Sequence, residues 1–420
     1  MSLISFPGIA SGIDTASLIN ALIETQRQTT VVPLQNKIDN LNKTNSAFSE
    51  LSSLLGKLQS AADSFRDVNG GAISKIAVSS DEQVLTASAS KAASTGTYTV
   101  NVSQLAKNAT FSFDDRFSSA TDVINSGIND SAPAADRTVT ITVGQGSSAE
   151  NVSVELTSTS TAQDFVDSFN QQSSLATASL VNVGTDSSPQ YAIVINSNNT
   201  GTEKGTIAVK SVGAEVAPAF QTYQIDQAKD LQFTISGISG TFTRSTNTVS
   251  DVIAGVTFNA EGVGSAQLQV QVDENATLSA AQEFVNAYND VISFINENDQ
   301  VIVDTSNGET TNLFGPLSST SLDESVVSVL RQALSSSSTS STVSTLSDLG
   351  ITTQRDGTLA LSEDTFKSAL AKDPEGAGSI LNNLGETLGG INGSIAQFTQ
   401  FNGLIDSAIN NNNSQIASLN

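Results

Sequence analysis

Apolar positions along the chain change period twice, from helical to alternating and back to helical. Over the first 70 residues the spacing predicts helix. Asp14 suits an N-cap, because its carboxylate can accept a free amide proton of the first turn. Ile13 before it and Leu18 after it have the spacing of a hydrophobic staple. Pro33 falls between this short helix and a longer one, where a kink or restart is expected. From Leu34 the apolar positions follow 4-3 spacing through Ile38, Leu41, Asn45 and Phe48. The phase then shifts, giving Phe48, Leu51, Leu55, Leu58, Ala62 and Phe65. That is a heptad seam with a stammer, wide enough to seek a partner helix. An amphipathic helix on an ordinary core fits Phe48 to Phe65 equally well. From Leu34 to Asn45 the seam is narrow and broken by polar residues, so an exposed coiled coil is expected there.

Strand-like alternation dominates from about residue 76 to about residue 272. Tyr98, Val100 and Val102 alternate after the turn signal Ser94-Thr95-Gly96. Val139 to Val143 and Val152 to Leu156 flank Gly144-Gln145-Gly146; Thr161 then caps a short helix carrying Phe165, Val166 and Phe169. Tyr191 to Ile195 returns to strand, completing an α+β unit of about 80 residues. Phe233 to Ile238, Phe242 and Val256 to Phe258 form a second β-rich stretch.

Helix returns after residue 275, where Ser279 and Gln282 have capping-box spacing ahead of Phe284, Tyr288, Val291, Ile292 and Ile295. Another box, Ser321 to Glu324, starts a helix through Val326 and Leu330 to Leu334. Residues 335–347 are a Ser/Thr low-complexity loop, and Asp356-Gly357 is a two-residue hairpin signal. Ser362 caps a further helix, with Leu361 and Phe366 as its staple. A second 4-3 seam closes the chain: Ile391, Ile395, Phe398, Ile405, Ile409, Ile416 and Leu419. Gly389, Gly390, Gly393 and Gly403 weaken its first part as helix by about 1 kcal/mol each. The seam is therefore firm only from Gly403 onward.

Composition narrows the chemistry. Length 420 suggests about three domains. There are 42 acidic and 18 basic residues, a net charge of −24, yet only 14% of the chain is charged. Soluble chains average about 25%, so Ser, Thr, Asn, Gln and Gly must make the surface. With no Cys and no His, disulfides, thiolate or imidazole metal sites and Ser–His pairs are excluded. Net acidity without a basic stripe argues against nucleic acid. No apolar run approaches 18 residues, so no membrane span is expected, and the first basic residue is Arg27, too late for a signal peptide's n-region. The adjacent carboxylates Asp114-Asp115 and Asp273-Glu274 read as solvated turns, and the glycines match no phosphate-binding fingerprint. No enzyme, cofactor or metal is expected.

The ordered motifs resemble the flagellar hook-associated protein 2 family, the bacterial filament cap proteins. Gly8-Ile9-Ala10-Ser11-Gly12-Ile13-Asp14 is similar to the family's opening, and Leu18-Ile19-Asn20-Ala21-Leu22-Ile23-Glu24 to its first helix. Thr97-Tyr98-Thr99-Val100, Gln104-Leu105-Ala106, Phe233 to Ile238 and Thr246 to Thr257 follow in family order. So do Phe284-Val285-Asn286-Ala287-Tyr288-Asn289, Leu349-Gly350-Ile351 and Asp356-Gly357-Thr358-Leu359. Residues 137–213 resemble the β-rich insert of hook and cap proteins.

The resemblance implies a structural protein exported by the flagellar type III route without a cleaved signal and placed outside the cell at the flagellum tip. It implies a ring of identical copies, commonly a pentamer, beneath which flagellin folds and polymerises. Its further implied partners are the hook–filament junction protein and a flagellar export chaperone, with no nucleic acid and no membrane. The expected fold is α+β and multidomain, a helical/coiled-coil base formed by both termini with two inserted β-rich domains. Residues 1–45 and 403–420 are expected as a terminal coiled-coil leg, and 46–110 with 273–402 as a helical base with hairpins. Residues 111–136 with 214–272 are expected as a β-rich domain, and 137–213 as an α+β outer domain. The candidate contact seam is Leu34, Ile38, Leu41, Phe48, Leu51, Leu55, Leu58, Ile405, Ile409, Ile416 and Leu419. Family members usually continue with a long charged helix after the stretch like Gly403 to Ser407, whereas here the sequence stops at Asn420, as a truncated or short variant. A secreted Ser/Thr-rich adhesin or another axial flagellar protein is the alternative.

Overall fold

The computed structural model describes residues 15–304, 311–340 and 342–420. The expected cap at Asp14 and staple at Ile13 lie outside the described residues. The chain divides into two units: a helical one, up to Ser74 and from Val272 onward, and a β-rich one, Lys75–Gln271.

In the helical unit, helix Thr15–Gln26 runs on through a π turn, Arg27–Val31, into helix Val32–Asp63. The expected interruption at Pro33 takes this form for a steric reason. A proline ring clashes with the carbonyl four residues back and has no N–H to offer it. The π turn widens the backbone just ahead of the ring: the Val32 N–H reaches the Arg27 carbonyl, five residues back.

The buried face of this helix (Phe48, Leu51, Leu55, Leu58, Ala62), with Phe65 just past its end, shares one core with Phe284, Tyr288 and Val291 of helix Glu274–Asn298. Ile380, Leu381 and Leu384 of helix Pro374–Leu388 join the same core. Phe65 meets Phe284 edge-on at 6.1 Å. Helix Glu274–Asn298 starts five residues ahead of the expected Ser279: Asp273 accepts from the Ala276 N–H at 2.9 Å and takes the cap. The Asp356-Gly357 hairpin joins Ile351–Thr353 to Leu359–Leu361. Its loop is one residue longer than expected, because the Gln354 N–H donates to the Thr358 carbonyl and leaves Arg355, Asp356 and Gly357 (φ 88°) in the turn. Asn289 clamps that hairpin, accepting from the Leu359 N–H at 2.6 Å and donating to the Leu359 carbonyl at 2.9 Å.

The β-rich unit holds two cores. In one, strands Lys75–Ser79, Gly264–Val272, Gly96–Gln104, Leu231–Ile235 and Phe242–Arg244 form a five-stranded sheet in that order. A three-stranded sheet of Thr248–Val249, Val256–Ala260 and Leu85–Ala89 shares its core through Leu85, Val100, Phe233, Phe258 and Leu268. In the other, a four-stranded and a three-stranded sheet pack with helix Ala162–Gln172 around Phe111, Phe113, Phe165, Phe169 and Phe220. Thr161 caps that helix as expected, in a reciprocal box with Asp164.

Two expected boundaries move. Residues 75–104 belong to the β-rich unit and not to the helical base, because Gly96–Gln104 pairs antiparallel with Gly264–Val272, Val102 opposite Gly264. Residues 111–136 and 214–228 belong with the α+β domain, because Phe111, Phe113, Phe117, Ile128, Val216 and Phe220 point into its core. A strand is assigned by the partner it pairs with, and that partner lies over 100 residues away for both.

Candidate interaction surface

The helical unit presents its surface on the long first helix and on the C-terminal helix Leu404–Leu419. These two pack antiparallel. Gln59 accepts from the Thr399 hydroxyl at 3.2 Å, whereas Asn45, four turns earlier, pairs with Asn412 and Asn413 further along. Asn45 Nδ2 donates to Asn413 Oδ1 at 2.9 Å, and Asn412 Nδ2 donates to Asn45 Oδ1 at 2.8 Å. Asn45 continues the 4-3 spacing from Leu41, and Asn412 continues it from Ile409. A polar pair inside an apolar seam fixes register at some cost in stability. Asn45→Ala is therefore expected to cost about 1 kcal/mol and to leave Asn412 seeking another partner. Urea titration of that variant, with hydrogen exchange along 404–419, checks it.

The sequence-derived seam separates into three groups. Phe48, Leu51, Leu55, Leu58 and Ile405 are buried in the unit's own core and offer nothing to a partner. For Phe48 to Phe65 the ordinary-core reading is thus the correct one: that face meets helices Glu274–Asn298 and Pro374–Leu388 of the same chain. Ile38 is buried, and Leu41, Ile409, Ile416 and Leu419 are half-buried, along the antiparallel helix pair. Leu34 remains exposed.

Upstream of Leu34 the helix carries exposed Leu18, Ile19, Leu22, Ile23, Val31 and Val32, which sequence reasoning placed on a helix but not among the contacts. Leu18/Leu22 and Ile19/Ile23 are i,i+4 pairs, so they form one stripe.

Electrostatics are sparse. Arg66 bridges Asp63 at 3.0 Å and Glu386 at 3.2 Å, holding the Asp63 carboxyl below its ordinary range. Among the described residues no cluster of three or more carboxylates is placed to hold a metal, and no helix is long and apolar enough to cross a membrane.

Comparison with known proteins settles the family. The C-terminal pattern of flagellar hook-associated protein 2 matches residues 228–420, and its N-terminal pattern matches residues 11–109. The chain belongs to the flagellar hook-associated protein 2 family. Membership makes it a structural protein of the flagellar cap class. The B-type hook-associated protein 2 of Pseudomonas aeruginosa is 28% identical, over 89% of this chain and 80% of that one. The hook-associated protein 2 of Escherichia coli K12 is 25% identical, over 93% and 82%. The crystal structure of the D1-D2-D3 domains of the E. coli flagellar cap protein FliD superposes with a TM-score of 0.64 at 23% identity. It covers 87% of this chain and 99% of that one, and so shares the multidomain fold. The two family patterns stop at 109 and resume at 228, the residues that bound the second β-rich core, Ala109 to Ala228.

Proposed function

We propose that this chain caps the growing flagellar filament as a ring of identical copies, commonly a pentamer in this family, retaining exported flagellin and promoting its folding and polymerisation beneath the ring. The chain reaches that place through the flagellar type III route, with an export chaperone, and first docks on the hook–filament junction protein. The observation that carries the reading is the exposed stripe Leu18, Ile19, Leu22 and Ile23, on a helix whose C-terminal half is already covered. Such a stripe on a secreted chain seeks a partner, and the terminal leg of a cap meets the filament end. The sparse charge and the Ser/Thr-rich surface suit a chain that folds only after export.

Purified chain added to cells that lack their cap and shed flagellin monomers tests this. Filaments growing from the hooks are the expected result. Continued shedding in the presence of folded, oligomeric protein sinks the proposal.

A further inference from the structure

The two cores of the β-rich unit are joined by two short connections, Gln104 to Ala109 and Ala228 to Leu231. The connections pair where they pass. The Lys107 N–H donates to the Lys229 carbonyl at 2.8 Å, and the Lys229 N–H donates to the Lys107 carbonyl at 3.0 Å. Two strands that meet at one pair of residues can act as a hinge, and domains without a large apolar interface move on each other by default. The two cores here share no buried residue.

A third segment of chain, in the α+β domain, reaches the other domain beside that crossing. The Thr202 N–H donates to Asp230 Oδ1 and the Thr202 hydroxyl donates to Asp230 Oδ2, each at 2.7 Å. Hydrogen bonds to a carboxylate are roughly twice as strong as neutral ones, and both side chains are half-buried. Asp230 is itself anchored: the Gln104 side chain donates to its carbonyl at 2.8 Å, and Leu231, the next residue, opens a strand and is fully buried. The Thr200 hydroxyl donates to the Ser245 carbonyl at 2.7 Å. Two residues on from Ser245, the Asn247 side chain accepts from the Ala106 N–H at 2.7 Å and donates to the Ala106 carbonyl at 3.1 Å. Gly201 stands between the two threonines at φ 80°, and its N–H donates to the Lys107 carbonyl at 3.2 Å. A Cβ there would fall 2.6 Å from the Ser245 Cα and carbonyl oxygen, so glycine alone suits both the backbone and the gap.

We infer that Thr200, Gly201 and Thr202, seated on Asp230 and Ser245, form a lock that holds the two β-rich domains as one rigid body. The crossing at Lys107 and Lys229 alone leaves an axis to turn about, and contacts from a third segment remove it. The inference concerns the chain by itself and stands or falls apart from the cap reading. Within that reading, each copy in a ring presents one stiff β-rich body.

The chain has no cysteine, so Gln171→Cys and Gln269→Cys, both exposed and one in each domain, carry nitroxide labels without competition. Labelled full-length chain is diluted into unlabelled chain, so that electron–electron resonance reads only distances within one copy. A narrow distance distribution is expected for this parent. Asp230→Ala with Thr200→Val should make it about twice as wide or more, as for domains free to move, and Gly201→Val should shift its centre by pushing Ser245 away. Near- and far-ultraviolet circular dichroism checks that each variant folds. Should the double variant fail to fold, Thr200→Val alone, which removes only a hydroxyl, is expected to broaden the distribution measurably. A parent distribution as wide as the variants', or variants as narrow and as centred as the parent, overturns the lock.

Discussion

A chain carrying Leu55→Ala is expected to lose about 2–5 kcal/mol of stability in its helical unit, the range for deleting a buried leucine side chain and leaving a cavity. Leu55 is 0% exposed and lies in one core with Phe284, Tyr288 and Leu384. The neighbours cannot collapse freely into the space. They sit on helices held by their own caps, Asp273 on the Ala276 N–H and Asp373 on the Gly376 N–H, each at 2.9 Å. Whole domains are stable by only about 5–15 kcal/mol, so the loss takes a large share of what keeps the unit folded. Leu18→Ala is the control: Leu18 is 60% exposed, and its removal should move stability by no more than about 0.5 kcal/mol. Urea unfolding of both variants, followed by helical circular dichroism, separates core from contact. Were Leu55→Ala as stable as the parent chain yet unable to assemble, Leu55 would be a contact and the packing described for it would be wrong.

That contrast shows what periodicity can and cannot say. The 4-3 spacing from Leu34 to Phe65 identifies the buried side of a helix, but a heptad seam and a core-facing stripe look alike in sequence. What separates them is the number of apolar helices available to cover the stripe. Helices Glu274–Asn298 and Pro374–Leu388 cover it from Phe48 to Phe65, whereas the C-terminal helix, with the Pro316 carbonyl on the Thr44 hydroxyl, covers part of the stretch before it. Helical ends, a β-rich middle and an α+β insert were legible because the period changes from 3.6 to 2 and back. Domain boundaries were not, since Gly96–Gln104 and Thr110–Phe113 find their partners at Gly264–Val272 and Tyr223–Asp226. Caps went astray where two candidates competed. Asp273 and Ser279 both precede an apolar run, and the residue that stands outside the helix takes the cap. Of the surface, the exposure of Ile391 was the least legible. Ile391 continues a 4-3 run into Ile395 and Phe398, yet the glycines around it turn the chain, so that Ile395 and Phe398 are buried and Ile391 is not.

Leu18→Asp together with Leu22→Asp is expected to abolish filament growth while leaving the folded chain unchanged. Both side chains are mainly in water, 60% and 71% exposed, so replacing them removes little buried area from the monomer. Aspartate inside the helix is less favourable than leucine by only a few tenths of a kcal/mol at each position. The loss falls instead on the contact. Truncating a central apolar anchor commonly costs about 2 kcal/mol or more, and a carboxylate in its place must also be desolvated without a partner. Two such positions weaken attachment by about a thousandfold or more, beyond what a cap that must remain seated while subunits pass beneath it can tolerate. The measurement pairs helical circular dichroism and urea unfolding of the purified variant with the growth of filaments on cap-deficient cells. Leu18→Ala with Leu22→Ala should fall between the variant and the parent chain, because it removes the anchors without burying charge. Filaments of ordinary length with the Asp pair would remove the stripe from the filament contact, whereas an unfolded variant would place Leu18 and Leu22 inside a core the structure does not show.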